Sequence, residues 1–183
     1  MLNAADYLSD PSVSSLTIFE SLGTLAERGA AWLFLRWLGD QKGEGIYRRL
    51  VETRTTGADN VQEQSGEPFA RLFGDFAIAL YADLNPDVDR ARLDPRYRFT
   101  TRDFRVLFQR FSDIGATTDP FPINAKVLPF GATIAGSMVP GTMDWYVLTA
   151  PADGPRAALT YTTPAGNPLP ASLVPQVGLL RIQ

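Results

Sequence analysis

The chain contains no histidine and no cysteine among its 183 residues. The lack of cysteine excludes disulfides and thiolate chemistry. The lack of histidine excludes zinc sites with an imidazole ligand, serine triads that use histidine, and histidine acid–base catalysis. Any catalysis by this chain alone would therefore depend on carboxylates, on Lys42 or Lys126, or on arginine, serine, threonine or tyrosine side chains.

An excess of positive charge and a long apolar run are also missing. The net charge of −3 offers no basic field for a nucleic acid, so we expect no nucleic-acid partner. The longest apolar stretch lies within residues 24–42 and is shorter than the roughly 20 residues that cross a bilayer. The first residues, MLNAADYLSD, resemble no signal peptide. We therefore expect either a cytoplasmic protein or a fragment whose export signal lies upstream.

A central helix is predicted over residues 24–42. Thr24 and Glu27 have the spacing of a capping box, in which side chains satisfy the free N–H groups of a helix start. Residues 29–38 are apolar on all sides except at Arg36, a pattern typical of a helix that is packed on several sides. The glycines that follow are suitable for ending the helix.

Further helices are indicated by apolar residues that recur at helical spacing. The first 23 residues predict a lead-in of modest order, and residues 87–101 predict an ordered surface connection anchored by Leu93, Tyr97 and Phe99. A helix with a Glu44–Arg48 pair is predicted over residues 44–54, and a short helical turn is predicted at 58–64. An amphipathic helix at 65–84 is expected to pack on the central helix, and a further short helix is predicted at 104–111.

The composition changes at Gly115, where proline, glycine, threonine and alanine begin to dominate. The apolar period there approaches two, which predicts strands. We expect an α+β fold, with a helical subdomain of three to five helices over residues 1–114 and a β-rich segment over 115–183 that forms a small antiparallel sheet or half-sandwich. The predicted strands are 132–139, 143–150, 157–162 and 177–183.

Several acidic residues suggest a site, and each also has a structural interpretation. Glu20 and Glu27 are a conceivable carboxylate pair, but capping by Glu27 is favoured. Asp75 lies in an apolar helix and is expected to form a structural ion pair with Arg36 or Arg71.

Three aspartates, at 83, 87 and 89, resemble part of a calcium loop but lack its glycine and its closing glutamate. The glycine-rich residues 39–45 follow a helix and lack the ending of a phosphate-binding loop, so they do not predict nucleotide binding. Trp32 and Trp37 are interpreted as packing residues. We predict no catalytic, cofactor-binding or metal-binding residue in this chain.

The order of several segments resembles the region downstream of the catalytic motif in gluzincin-type zinc metallopeptidases, of the secreted bacterial hyicolysin-like group. The segments are ERGAAWLFLRWL at 27–38, GEG at 43–45, TG at 56–57 and GEPFARLFGDF at 66–76.

The resemblance implies a fragment without its active site. Such peptidases carry an HExxH motif upstream, which supplies two zinc ligands and a carboxylate base. This chain has no histidine. In their aminopeptidase branch, the next helix opens with a tyrosine that stabilises the oxyanion, and Ala26 stands at that position here. The resemblance therefore implies a non-catalytic C-terminal scaffold, with zinc only in an upstream half and with an extracellular or cell-envelope location if that half carries a signal.

A second hypothesis is a stand-alone soluble module without enzymatic activity. It would bind a protein or peptide partner at the exposed edge of the β segment or in the cleft between the two halves. Its oligomeric state is not indicated by any sequence feature.

Overall fold

The fold combines a helical N-terminal part with a short β pair, as predicted. The computed structural model describes residues 2–18, 22–116, 123, 125–136, 139–148, 160 and 162–168. The helices of this part are α1 (Leu2–Ser9), α2 (Leu25–Lys42), α3 (Gly45–Val51), α4 (Gly57–Ser65), α5 (Phe69–Leu84) and α6 (Phe104–Asp113), with 3₁₀ turns at Arg90–Arg92 and Pro95–Tyr97. The strands are β1 (Lys126–Leu128) and β2 (Tyr146–Leu148).

Helix α2 begins and ends as the sequence predicts. The Thr24 side chain accepts a hydrogen bond from the Glu27 N–H at 3.1 Å, and the Glu27 carboxylate accepts one from the Thr24 N–H at 2.6 Å. This capping box satisfies free donors of the first turn. The helix ends where Gly43 adopts a φ of 78°, which favours glycine, and donates its N–H to the Gly39 carbonyl at 2.8 Å.

The core is built by aromatic side chains between α2 and α5. Phe34 and Phe76 meet edge to face with ring centroids 5.3 Å apart, and Trp37 lies 5.9 Å from the same Phe76 ring. The Trp37 indole N–H donates to the Arg96 carbonyl at 2.9 Å, so its polar atom is satisfied in the core. The predicted packing of the amphipathic helix on the central helix is confirmed.

Helix α1 was not predicted in the first 23 residues, for which the sequence indicates only modest order. It packs so closely on α2 that a side chain at Gly29 would collide with the main chain of Asn3 and Ala4. Tyr7 and Leu8 are fully buried. A helix of two turns is marginal by itself, and tertiary packing stabilises it.

The remaining helices follow the sequence with local corrections. The predicted helix at 44–54 is shorter and forms α3, and the predicted turn at 58–64 is the full helix α4. The expected Glu44–Arg48 pair is wrong, because the Arg48 guanidinium binds Glu52 at 2.7 Å. Helix α6 and the ordered connection at 87–101 are confirmed, and Leu93 and Phe99 are buried in the connection.

The strand direction differs from the prediction. Strands β1 and β2 are parallel, with Lys126 opposite Tyr146 and Leu128 opposite Leu148. The antiparallel prediction is therefore wrong for this pair. A parallel pair requires a crossover of about a dozen residues or more, and the interval in sequence between Leu128 and Tyr146 is long enough for one.

The strand positions are also only partly as expected. Strand β2 lies inside the predicted strand 143–150, whereas β1 lies outside every predicted strand. The described residues of the predicted strand 132–139, which are 132–136 and 139, form no strand. In the predicted strand 157–162, Thr162 forms an isolated antiparallel bridge with Pro168, and most of the other residues lie outside the described ones. The predicted strand 177–183 lies wholly outside the described residues.

Hydrogen bonds attach the β segment to the helices and to the residues after α1. The Trp145 indole N–H donates to the Ala77 carbonyl at 2.9 Å, and the Tyr7 hydroxyl donates to the Met143 sulfur at 3.7 Å. The Leu16 N–H donates to the Gly141 carbonyl at 2.8 Å. The buried Met143 therefore belongs to the same hydrophobic core as α1 and α2.

Candidate functional site

An ion cluster joins the end of α2 to the start of α5. Glu67 contacts Lys42 and also Arg96, whose guanidinium lies 2.7 Å away. Arg96 reaches Asp75 at 2.8 Å, and Arg71 lies 3.6 Å from Glu67. The expected partner of Asp75 is therefore corrected: Arg96 is the partner, not Arg36 or Arg71.

The two acids of this cluster respond to their surroundings in opposite ways. The hydrogen bond from Lys42 holds the pKa of Glu67 below its usual range. Burial raises the pKa of Asp75, although Arg96 opposes that shift. Both carboxylates face arginine or lysine at short range, so the cluster is a clamp between helices and offers no free general base.

A second buried acid, Asp83, anchors the connection at 87–101. Arg90 Nε lies 2.6 Å from its Oδ1, and the Phe99 N–H donates to its Oδ2 at 2.9 Å. Burial raises the pKa of Asp83. Arg105 donates to the main-chain oxygens of Asp83, Ala82 (3.0 Å) and Val88 (3.3 Å), so this carboxylate and its neighbouring carbonyls are already engaged.

Of the three aspartates that resemble a calcium loop, Asp83 and Asp89 have carboxylates that are bound within the protein. Asp89 accepts the Ala91 N–H at 2.9 Å and starts a 3₁₀ turn, and Asn85 accepts the Asp87 N–H at 2.8 Å. Within the described part of the chain, no group of three or more acidic side chains is close enough to hold a metal ion.

The other candidates from the sequence have packing roles. Glu27 caps α2, and Glu20 lies outside the described residues. Trp37 is fully buried, while the half-buried Trp32 meets Phe104 edge to face at 5.7 Å. In the glycine-rich residues 39–45, Gly39 is part of α2 and lies against the Tyr47 ring, so these residues form no phosphate cradle.

A small cavity lies between the residues after α1 and the β segment. Its volume is about 90 Å³, and Asp10, Ser12, Lys126, Asp144 and Trp145 are among its lining residues. Ligand pockets commonly measure about 300–1,000 Å³, so this cleft admits only a few waters. Lys126 binds Asp144 at 2.8 Å, and this hydrogen bond raises the pKa of the amine, which therefore stays charged and non-nucleophilic.

A larger, open depression of about 430 Å³ lies beside the connection at 87–101. Two arginines border it, but Arg90 is paired with Asp83 and with Asp103, which lies 3.0 Å away. Arg98 donates to the Ala91 carbonyl at 3.1 Å. Arg90 is therefore bound to carboxylates of the protein, whereas Arg98 is held by a main-chain carbonyl.

The most informative surface is the outer face of α2, which we call the outer stripe: Leu25, Arg28, Trp32, Leu35 and Arg36. The opposite face of the helix is buried in the core, whereas Leu25 is 57% exposed and Leu35 is 37% exposed. Trp32 and Arg36 are half-buried. The sequence predicts packing on several sides, and in the structure Phe104 and Tyr47 cover part of Trp32 and Arg36, whereas Leu25 and Leu35 stay exposed.

The outer stripe has a positive charge. The Arg36 guanidinium lies 5.8 Å from the centroid of the Trp32 ring and 5.9 Å from that of Tyr47. The Arg28 guanidinium donates to the Leu22 carbonyl at 3.2 Å. Across the described ranges, neither arginine forms an ion pair with a carboxylate.

Comparison with protein-family models, curated proteins and solved structures finds no match. None of the helices in the described residues is both long and apolar enough to cross a membrane.

Sequence reasoning found the capping acid, the packing tryptophans and the structural role of Asp75. It did not find Arg96 as the centre of the ion cluster, or the outer stripe. The stripe has a signal in the sequence, because positions 25, 28, 32 and 35 lie on the face of α2 opposite Leu33 and Trp37.

Proposed function

We propose that this chain is the non-catalytic C-terminal portion of a secreted zinc-metallopeptidase-like protein and that its helices scaffold the peptidase domain. The observation that carries the proposal is the outer stripe of α2. A helix that is apolar on all sides is usually covered on all sides. Here Leu25 and Leu35 face solvent, as expected of a helix separated from a neighbouring structural element.

Two further observations support a scaffold role over a catalytic role. Without histidine, the chain cannot supply HExxH zinc ligands. Its most perturbed carboxylates, Glu67, Asp75 and Asp83, all bind basic side chains. The metal and the catalytic base would therefore come from an upstream half, and that half would also carry the export signal to the extracellular space or cell envelope.

The DNA upstream of the first codon tests this proposal. We expect an HExxH motif and a signal peptide in the same reading frame, within about the length of one domain, roughly 200 residues. The upstream product purified together with this chain should bind one equivalent of zinc and cleave peptides. An in-frame stop immediately upstream, or tightly bound zinc in this chain alone, would contradict the proposal.

A stand-alone binding module is the second candidate, and the β segment favours it. Val127 is 70% exposed, and Tyr146, Val147 and Leu148 are exposed as well. Parallel strands are usually covered on both faces, so this pair offers apolar surface to a protein or peptide partner. A monomer that unfolds cooperatively would favour the module, whereas aggregation would favour the scaffold fragment, because a missing half leaves a larger surface uncovered.

A further inference from the structure

The outer stripe has the spacing of a helix–helix contact. Positions 25, 28, 32 and 35 have the three–four–three spacing of the seam of paired helices, and they hold Leu25, Trp32 and Leu35 together with one charged residue, Arg28. They extend over three turns, about 15 Å at 1.5 Å per residue. A straight seam of this length fits one further helix laid along α2.

A helix fits this surface better than a strand. An added strand needs free main-chain N–H and C=O groups, whereas those of α2 are bonded within the helix. At the stripe's C-terminal end, the Tyr47 hydroxyl donates to the Leu35 carbonyl at 3.2 Å and closes that end. The surface therefore offers side chains only, and side-chain packing is the usual contact between helices.

The charge of the stripe selects among possible helices. Arg28 is exposed, and Arg36 is held over Trp32 with no described carboxylate partner. A second copy of α2 would bring these arginines toward like charges, which is unfavourable across an interface. A helix with carboxylates beside its apolar seam would pair with both arginines.

We propose that the outer stripe of α2 is the docking surface for an amphipathic helix with acidic flanks. This inference deepens the proposed scaffold role and rests on it for the source of that helix, the upstream half. Beyond the scaffold role, it specifies the docking site, the secondary structure of the partner and the sign of the partner's charge. Leu25 and Leu35 provide the apolar contact, and Arg28 and Arg36 determine the charge preference.

Two synthetic peptides of three heptads, about 21 residues each, test the inference. Both carry leucine at the a and d positions, and the flanking e and g positions are all glutamate in one peptide and all lysine in the other. Each is labelled with fluorescein and titrated with the purified chain, and binding is measured by anisotropy at low salt. We expect the glutamate peptide to bind at least about tenfold more tightly than the lysine peptide.

Variants of the stripe locate the binding. The double variant Leu25→Ser/Leu35→Ser should weaken binding of the glutamate peptide by tenfold or more. The variant Arg28→Glu/Arg36→Glu should reverse the preference between the two peptides. Val51→Ser is the matched control, because Val51 is an 80% exposed apolar residue on α3 outside the stripe. Circular dichroism and the Tm of each variant establish that it is folded.

The outcomes separate this inference from the proposed function. Failure of the glutamate peptide to bind, or equal loss of binding in Val51→Ser, would overturn the docking surface. If the peptide results hold while no peptidase is encoded upstream, the docking surface stands and the proposed function fails. If an upstream peptidase assembles equally well with the double serine variant, the proposed function stands and the docking surface fails.

Discussion

Asp83 is fully buried beside Arg90, and the Arg90 Nε atom lies 2.6 Å from its Oδ1. The same carboxylate accepts the Phe99 N–H at 2.9 Å, so one side chain joins α5 to the connection that follows it. A buried acid of this kind is costly unless its partners are present. The ion pair therefore fixes the path of residues 87–101 across the helices.

Removal of this acid should be strongly destabilising. We expect Asp83→Ala to lower the free energy of unfolding by about 2–4 kcal/mol, because it leaves Arg90 and the Phe99 N–H with fewer acceptors. Urea denaturation measures the effect. Asp87→Ala is the control, since Asp87 is exposed, and its stability should change by less than about 0.5 kcal/mol. Equal effects of the two variants would contradict the anchoring role.

The clamp at Glu67 should stabilise the protein in a pH-dependent way. The pKa of the Glu67 carboxyl is lowered in the folded state. Its contribution to the free energy of unfolding is therefore fully present above the usual value of 4.5 and is lost as pH falls through the folded pKa. We expect Glu67→Gln to cost about 1–2 kcal/mol at pH 7 and progressively less in acid. Urea denaturation of both proteins from pH 7 down to pH 3 tests this, and a constant difference would contradict it.

Asp75 should show the opposite trend, because burial raises its pKa in the folded state. Its contribution to stability is fully present below the usual value of 3.8 and is lost as pH rises through the folded pKa. Asp75→Asn cannot ionise, so its stability relative to the native sequence should increase as pH rises. Denaturation over the same pH series measures this, and a relative stability that decreases with rising pH would contradict the sign.

The close approach of α1 and α2 gives a prediction at Gly29. We expect Gly29→Ala to destabilise the protein by about 1–3 kcal/mol, because the added methyl group collides with the main chain of Asn3 and Ala4. Gly74→Ala on α5 is the matched control, since a methyl group there meets no atom. Alanine is the better helix former, so the control should gain up to about 1 kcal/mol. Thermal unfolding compares the stability of the two variants, and a Gly29→Ala variant as stable as the native sequence would contradict the close packing of α1 on α2.

The helices could be predicted from sequence because their signals are local. Thr24 and Glu27 determine the start of α2, and Gly43 determines its end. Helix α1 and the parallel β pair could not be predicted in this way. The close contact at Gly29 stabilises α1, and the pairing of Lys126 with Tyr146 depends on residues distant in sequence.

The candidate surface was predictable in part. The apolar character of α2 indicated that the helix needs cover on several sides, but only the structure identifies which side lacks it. Asp75 was expected to bind a nearby arginine, whereas Arg96 reaches it from a later turn of the chain. The partner of a buried charge depends on how segments cross, which helical spacing alone does not determine.

The hydrogen bonds between the residues after α1 and the β segment have a consequence for folding kinetics. Ser15 donates its hydroxyl hydrogen to the Pro140 carbonyl at 2.7 Å across 125 positions of sequence. Helix pairs such as α2 and α3 are close neighbours in the chain and can form early, whereas closing so long a loop carries a larger entropy cost. The residues after α1 can therefore complete these contacts only after Pro140 and Gly141 have been synthesised.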